Sequence, residues 1–323
     1  MSHVFGPVQS RRLGRSLGID LVPHKTCNWN CVYCQLGRTE PVTNMRREYR
    51  STKAVLSDIR EALRSCRDKV DWITFVGSGE PTLHVDIGRL IREAKQMTNI
   101  PVAVITNGSL LYLPEVARDL MVADAVLPSL DAGDEDLYRA INRPHPQATY
   151  RSHRRGLAQF RQSYRGHYWL EVMLVGGMND GEASLERLAA ALEAIGPDEV
   201  HLSTPFRAAA ERWVREPSPE ALVLAREILG EQTRVLVPAA ADVILGGDAV
   251  EELIAVIARH PMPEEEVRAA CSAASLDPDE GLEHLGKDGR LQRVHRGGRW
   301  YWCPAGGNYP NGQLGGGEDG RRK

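Results

Sequence analysis

The sequence predicts an α/β fold: a parallel sheet built from repeated strand–helix units, followed by a small module of different character. Short apolar runs rich in β-branched residues alternate six times with amphipathic helical patterns, the grammar of parallel β–α–β units. Near residue 240 the alternation stops, and helices follow one another before a hairpin. Polar residues and glycines also gather just behind the strand runs, on the rim where parallel barrels carry their chemistry.

Strands are expected at residues 17–22, 72–76, 102–106, 125–130, 169–175 and 200–204, and helices at 52–67, 85–97, 114–121, 150–164, 183–195 and 219–229. The last helix opens on Ser218 and Pro219, a start signal because the first turn leaves its N–H groups unused and proline has none. The polar clusters are Gly77 to Thr82, Thr106 to Gly108, Ser129 to Asp131, Gly176–Gly177 and Thr204–Pro205. Residues 1–240 therefore read as one domain. Beyond it come helices at 249–259, 263–272 and 278–285, then strands at 291–295 and 299–303 about the turn Arg296-Gly297-Gly298. Three helices and a two-stranded wing make a winged-helix module over 246–303. Residues 304–323 are rich in glycine and poor in apolar residues, so disorder is expected there. The strand–helix core is complete before the module begins and is expected to hold its site without it.

The chain has 323 residues, 42% hydrophobic and 26% charged, with a net charge of −3, an ordinary globular composition. It has no apolar run of membrane-spanning length and no charged-then-apolar leader at Met1, so no membrane partner is expected. The six cysteines do not form a disulfide framework, and a reducing cytoplasm is the expected compartment.

Three of those cysteines, Cys27, Cys31 and Cys34, stand in one short window with the spacing C-x3-C-x2-C. Three thiolates on one loop can hold three irons of a [4Fe–4S] cubane and leave the fourth iron open to a ligand. Clusters that only carry electrons take a fourth cysteine, and none follows nearby. Zinc is the competing reading, with His24 as a fourth ligand. Incidental loop cysteines are the third.

With Tyr33 in the aromatic slot before Cys34, the motif resembles that of the radical S-adenosylmethionine (SAM) superfamily, C-x3-C-x-aromatic-C. Gly77-Ser78-Gly79-Glu80-Pro81 resembles its Gly-Gly-Glu-Pro motif, and the six units match its partial (βα)6 parallel barrel. More narrowly, Phe5-Gly6-Pro7, Ser10-Arg11-Arg12-Leu13-Gly14, Ser16 to Asp20 and Asn142-Arg143-Pro144 look like the wyosine-synthetase-like branch, whose members with known roles condense a tRNA guanosine with pyruvate. That enzyme needs a second cluster on three further cysteines. Here only Cys66, Cys271 and Cys303 remain, scattered along the chain, so the second-cluster motif that condensation uses is absent. It implies one [4Fe–4S] cluster on Cys27, Cys31 and Cys34, with SAM chelating the open iron. It further implies that backbone acceptors of Gly77, Ser78, Gly79, Glu80 and Pro81 meet the methionyl amine. Asn107, Ser129 and Asp131 are expected to bond ribose, carboxylate or amine, and Tyr33 to pack near the adenine.

Charge supplies the substrate clues. Residues 1–50 carry eight Lys/Arg against three Asp/Glu, and 143–165 carries six arginines and no acid, with His145, His153 and His167 nearby. Such clusters can track phosphates, so a tRNA base and a small metabolite both stand as candidate substrates. Glu171 and Met173 share one face of the fifth strand; Glu171 and Arg143 are the candidate catalytic residues. In the module, Asp277, Asp279, Glu280, Glu283 and Asp288 oppose Lys287 alone, so tight duplex DNA binding is not expected. The expected activity is that of a radical SAM enzyme served by SAM and a reductant such as flavodoxin or ferredoxin. The alternative is an iron–sulfur redox-sensing regulator acting through the winged helix.

Overall fold

The computed structural model describes residues 3–66, 69–236 and 249–310. Eight strands form one sheet in sequence order. β1 (Val4–Ser10) and β2 (Gly14–Ile19) make an antiparallel hairpin. β3 (Trp72–Phe75), β4 (Val102–Thr106), β5 (Ala125–Pro128), β6 (His167–Met173), β7 (Glu199–Ser203) and β8 (Thr233–Val235) then follow β2 in parallel. The connections carry α1 (Thr52–Cys66), α2 (Ile87–Met97), α3 (Pro114–Leu120), α4 (Glu135–Asn142), α5 (Tyr150–Ser163), α6 (Glu182–Ile195) and α7 (Pro219–Leu229).

Strand alternation sorts the side chains into two layers. On the outer face Leu17, Ile19, Ile73, Phe75, Leu170 and Val172 join Ile59, Leu90 and Leu157 of the helices in the main core. On the inner face Leu13, Ala103, Ala125 and Leu127, with Trp72 and Trp169, fill one end. Toward the C-terminal ends of the strands, residues from β1, β2, β3, β4 and β6 border one cavity, so the sheet curves round it. Among the described residues β1 and β8 are its edges.

Six parallel strands are legible in the sequence, and among the described residues the sheet has eight. Gly6 and Pro7 interrupt β1 and disguise it; proline is tolerated there because β1 is an edge, and the register shifts between Phe5 and Val8. β8 is only three residues long. α4 is two turns, started by Asp134, whose carboxylate accepts from Leu137 N at 2.8 Å, and stopped by Arg143 at φ 45°.

The C-terminal region comprises α8 (Ala249–Ile257), β9 (Met262–Pro263), α9 (Glu264–Ala273), α10 (Pro278–Lys287), β10 (Leu291–Arg296) and β11 (Arg299–Pro304). Its strands form an antiparallel sheet ordered β10-β11-β9, so the expected hairpin gains a third, two-residue strand. Leu253, Ile254, Ile257, Val267, Leu285 and Trp302 give it a core of its own. Disorder from residue 304 onward is contradicted as far as 310. Pro304 closes β11, Tyr309 is buried, and its hydroxyl donates to Gln35 O at 2.5 Å. Composition hid this, because one tyrosine anchors an otherwise glycine-rich segment. The rest of the expected tail, 311–323, lies outside the described residues. Among those described, no helix is long and apolar enough to cross a membrane.

Candidate functional site

The loop that leaves β2 carries the three cysteines without regular structure, and its backbone is pinned from several sides. Lys25 N donates to Ser78 O (2.6 Å), Asn30 N to Asn142 O (3.0 Å), Val32 N to Ile141 O (2.9 Å) and Thr43 N to Cys27 O (3.0 Å). Trp29 is buried edge-on against Tyr138 and His153, at 5.4 and 5.3 Å between ring centroids. Each sulfur faces at least one donor. Cys27 Sγ has Trp29 N at 3.4 Å and Asn107 Nδ2 at 3.7 Å; Cys31 Sγ has Asn142 Nδ2 at 3.7 Å; Cys34 Sγ has Lys25 Nζ at 3.1 Å. Burial pushes the Cys27 thiol up to about 12 and the Cys31 thiol well above its ordinary range.

The turn behind β3 is stitched to this loop. Ser78 Oγ donates to Asp20 Oδ2 at 2.6 Å, Ser78 N to Asp20 Oδ1 at 3.1 Å, and Glu80 N to Thr26 O at 2.9 Å. Glu80 is buried, and its carboxylate accepts from Thr82 N, Thr82 Oγ1, Thr106 Oγ1 and Asn107 N at 2.5–3.0 Å. Burial raises its pKa against those bonds. Pro81 opens a 3-10 turn, Pro81–Leu83, and its carbonyl accepts from His84 N. Among the described residues the carbonyls of Gly77 and Gly79 are left without a hydrogen-bond donor.

Several expected ligand contacts are already committed within the protein. Asp131 accepts from Tyr33 Oη (2.6 Å), Asn142 Nδ2 (2.6 Å) and Met173 N (2.8 Å), so it fastens β5 to the cysteine loop and to β6 and is not an open acceptor. Burial lifts its pKa to about 6. Asn107 gives Nδ2 to Asn28 Oδ1 at 2.7 Å and takes Ser109 N and Oγ on Oδ1, so its side chain is committed within the protein. Ser129 accepts from His153 Nε2 through its carbonyl at 3.0 Å, and its hydroxyl has no partner among the described residues. Arg143 is displaced from the role expected of it: as the left-handed residue that ends α4, it is drawn into an ion pair with Glu211, which also holds Arg38, and it does not border the cavity. His153 belongs to the core, so the expected 143–165 phosphate track loses it.

The cavity measures about 320 Å³. Cys34, Tyr33, Val76 and Ile105 border it, as do Glu171 and Met173. Glu171 is paired with Arg12 of the β1–β2 turn. The C-terminal region closes one side with Val256, His260 and Met262. Arg259 joins it to the rest: its Nε lies 3.2 Å from Asp20 Oδ2, and its guanidinium stands 5.0 Å over the Phe5 ring.

Residues 21–189, just over half of the chain, match the model of the Radical SAM superfamily. The chain belongs to the radical SAM superfamily. A UPF0026 protein of Methanocaldococcus jannaschii is 32% identical over 309 residues, covering 94% of this chain and 96% of that one. A Brachyspira hyodysenteriae protein named GTPase Obg is 48% identical over 204 residues, 63% of this chain, and this chain spans only 30% of its length. A radical SAM methyltransferase from Sphaerobacter thermophilus, known from its crystal structure, superposes with a TM-score of 0.52 over 68% of this chain and 66% of that one at 18% identity, a likeness of fold.

The residues present fit the two groups that radical SAM membership implies. A cubane takes one thiolate at each of three corners, and Cys27, Cys31 and Cys34 stand on one loop. Donors aimed at all three sulfurs suit thiolates, and the Cys27 and Cys31 thiols, whose pKa burial raises, ionise more readily beside a bound cation. The open carbonyls of Gly77 and Gly79 suit an ammonium. Sequence reasoning missed Asp20, Lys25, Asn142 and Arg259. Asp20 and Asn142 do stand inside the quoted motifs; Lys25 and Arg259 carry no local signal.

Gly79 shows how tightly turn and loop are joined. A Cβ there would lie 1.9 Å from the Thr26 carbonyl, so any side chain displaces the start of the cysteine loop. Gly79→Ala should therefore lower iron bound per chain as well as SAM affinity. Equal iron content in variant and wild type, measured after anaerobic reconstitution, would show that loop and turn move independently.

Proposed function

We propose that this chain is a radical SAM enzyme that binds one [4Fe–4S] cluster through Cys27, Cys31 and Cys34, binds SAM beside it, and modifies a small substrate in the cavity. When bound, cluster and cofactor supply a 5′-deoxyadenosyl radical by one-electron cleavage of SAM; the electron comes from a carrier such as flavodoxin or ferredoxin. This chain's residues orient and seal. Lys25, Asn107 and Asn142 direct donors at the sulfurs, Gly77 and Gly79 offer carbonyls to the methionyl ammonium, and Val76, Ile105 and Met173 keep water from the reacting centre. The observation that carries the reading is three half-buried, donor-supported cysteines on one loop, with Cys34 bordering a cavity inside the sheet.

We read 1–240 as the catalytic domain and 246–303 as a winged-helix-like module that serves as the wall of the site. α10 presents Asp279, Glu280 and Glu283 against Lys287, which does not suit DNA. A redox regulator acting through this module is the weaker reading, because Val256, His260 and Met262 are spent on the cavity. A tRNA base as substrate, and with it the wyosine-synthetase-like branch, is favoured by one feature: Arg151, Arg154 and Arg155 are exposed along the first half of α5. The compartment that suits such thiols is a reducing cytoplasm.

Anaerobically reconstituted protein given SAM and a strong reductant should form 5′-deoxyadenosine, read by chromatography. Reduced, cluster-loaded protein that leaves SAM intact, with and without extracts of small metabolites or tRNA, would sink the proposal.

A further inference from the structure

The guanidiniums of Arg11, Arg12 and Arg207 border the cavity, and their counter-charges are unequal. Arg12 is paired with Glu171. Arg207 faces Glu266 at 4.0 Å and donates to the Pro261 carbonyl. Arg259, outside that lining, has Asp20 at 3.2 Å. Arg11 has no carboxylate among the described residues. Its contacts are the Leu236 carbonyl, at a long 3.4 Å, and the face of Phe206 at 4.2 Å. Burial first, and then Arg12 and Arg207, lower its pKa to about 10, with Glu171 and Glu266 offsetting part of this. A half-buried cation crowded by two others is costly unless an anion joins it.

The surroundings fit an anion with an apolar body. Phe206 lies between Arg11 and Arg207, which stands 5.1 Å from its ring centroid, and Phe5, Val8, Val256 and Met262 supply apolar wall. His260 faces the same space, and among the described residues its ring has a contact to Phe5 at 5.4 Å and no hydrogen bond; burial and the nearby arginines hold its pKa down at about 3. A neutral imidazole can bond a ligand without adding charge. About 320 Å³ accommodates one small molecule and not a folded partner.

We infer that the cavity takes a small substrate through an anionic group, a carboxylate or a phosphate, with Arg11 as its counter-ion. The planar guanidinium fork matches both groups in two parallel hydrogen bonds. The inference rests on reading this cavity as the substrate chamber.

The test is thermal melting of cluster-loaded protein with inorganic phosphate, benzoate or chloride at matched ionic strength. A saturable rise in Tm with phosphate or benzoate, beyond chloride, supports the inference. Phosphate alone names a phosphate-bearing substrate and benzoate alone a carboxylate. Arg11→Gln should raise the apparent Kd about tenfold or more, equivalent to about 1.4 kcal/mol. Arg11→Lys, which keeps the charge and loses the fork, should fall between. If neither anion exceeds chloride, or if Arg11→Gln binds like wild type, the inference is wrong. Should Arg11→Gln fail to fold, the wild-type titration and Arg11→Lys decide. The readout needs no turnover, so failure here is distinct from failure to cleave SAM.

Discussion

Replacing Cys27, Cys31 or Cys34 by alanine should take bound iron from about four per chain toward zero and abolish 5′-deoxyadenosine formation. Each thiol lies on one pinned loop, and the remaining two cannot recruit a substitute. Cys66 half-buries its thiol in α1 and donates to Ala62 O at 2.9 Å within that helix. Cys271 is buried in the core of the C-terminal region. Cys66→Ala and Cys271→Ala should therefore keep both iron and activity, apart from a cavity cost of roughly 1 kcal/mol at Cys271. Iron and sulfide analysis with visible absorption checks this. Retention of a full cluster by Cys31→Ala together with its loss in Cys66→Ala would overturn the ligand assignment.

The cysteine spacing was legible because cluster ligation needs several residues of one type within a few positions. The parallel strands were legible because both of their faces are covered, so they read as unbroken apolar runs. β1 was not, since an edge strand tolerates the Gly6–Pro7 pair that signals a break. The site beyond the cysteines was harder for another reason. Motif residues such as Glu80, Asn107 and Asp131 looked like ligand contacts because they are polar and stand behind strands. Whether a polar group meets a ligand or a neighbour depends on partners distant in sequence. Asp131 is bound by Tyr33, 98 positions away, and by Met173, 42 positions away. No local pattern encodes such pairings. Arg11 and Arg12 were read as part of a motif and as two of a basic excess; only the curvature of the sheet turns them toward the cavity.

Truncation after residue 245 should weaken the cluster site as well as remove a wall. The strand–helix pattern ends by residue 240, which suggests an independent core, but the described residues beyond 249 hold the cysteine loop directly. Arg38 N donates to Asn308 O at 2.7 Å, Tyr309 Oη to Gln35 O at 2.5 Å, and Gln35 Nε2 to Arg259 O at 3.4 Å. Gly37, at φ 84°, packs so closely on Asn308 that a Cβ would meet its backbone at 2.6 Å. Truncation also leaves Asp20, 4% exposed at its side chain, without Arg259. Removing one partner of a buried ion pair costs about 3–5 kcal/mol. Asp20 positions Ser78, and Ser78 holds Lys25, the donor to Cys34, so the loss passes along hydrogen bonds to the cluster ligand. The truncated chain should fold, since its main core is untouched, yet bind less iron and release it faster to a chelator. Its rate of SAM cleavage should fall about a hundredfold, the scale of a displacement near 1 Å at a reacting centre. Arg259→Ala in the full chain should show the same defects in milder form. A truncated protein with wild-type iron content, chelator resistance and cleavage rate would mean that the C-terminal region covers the site without supporting it.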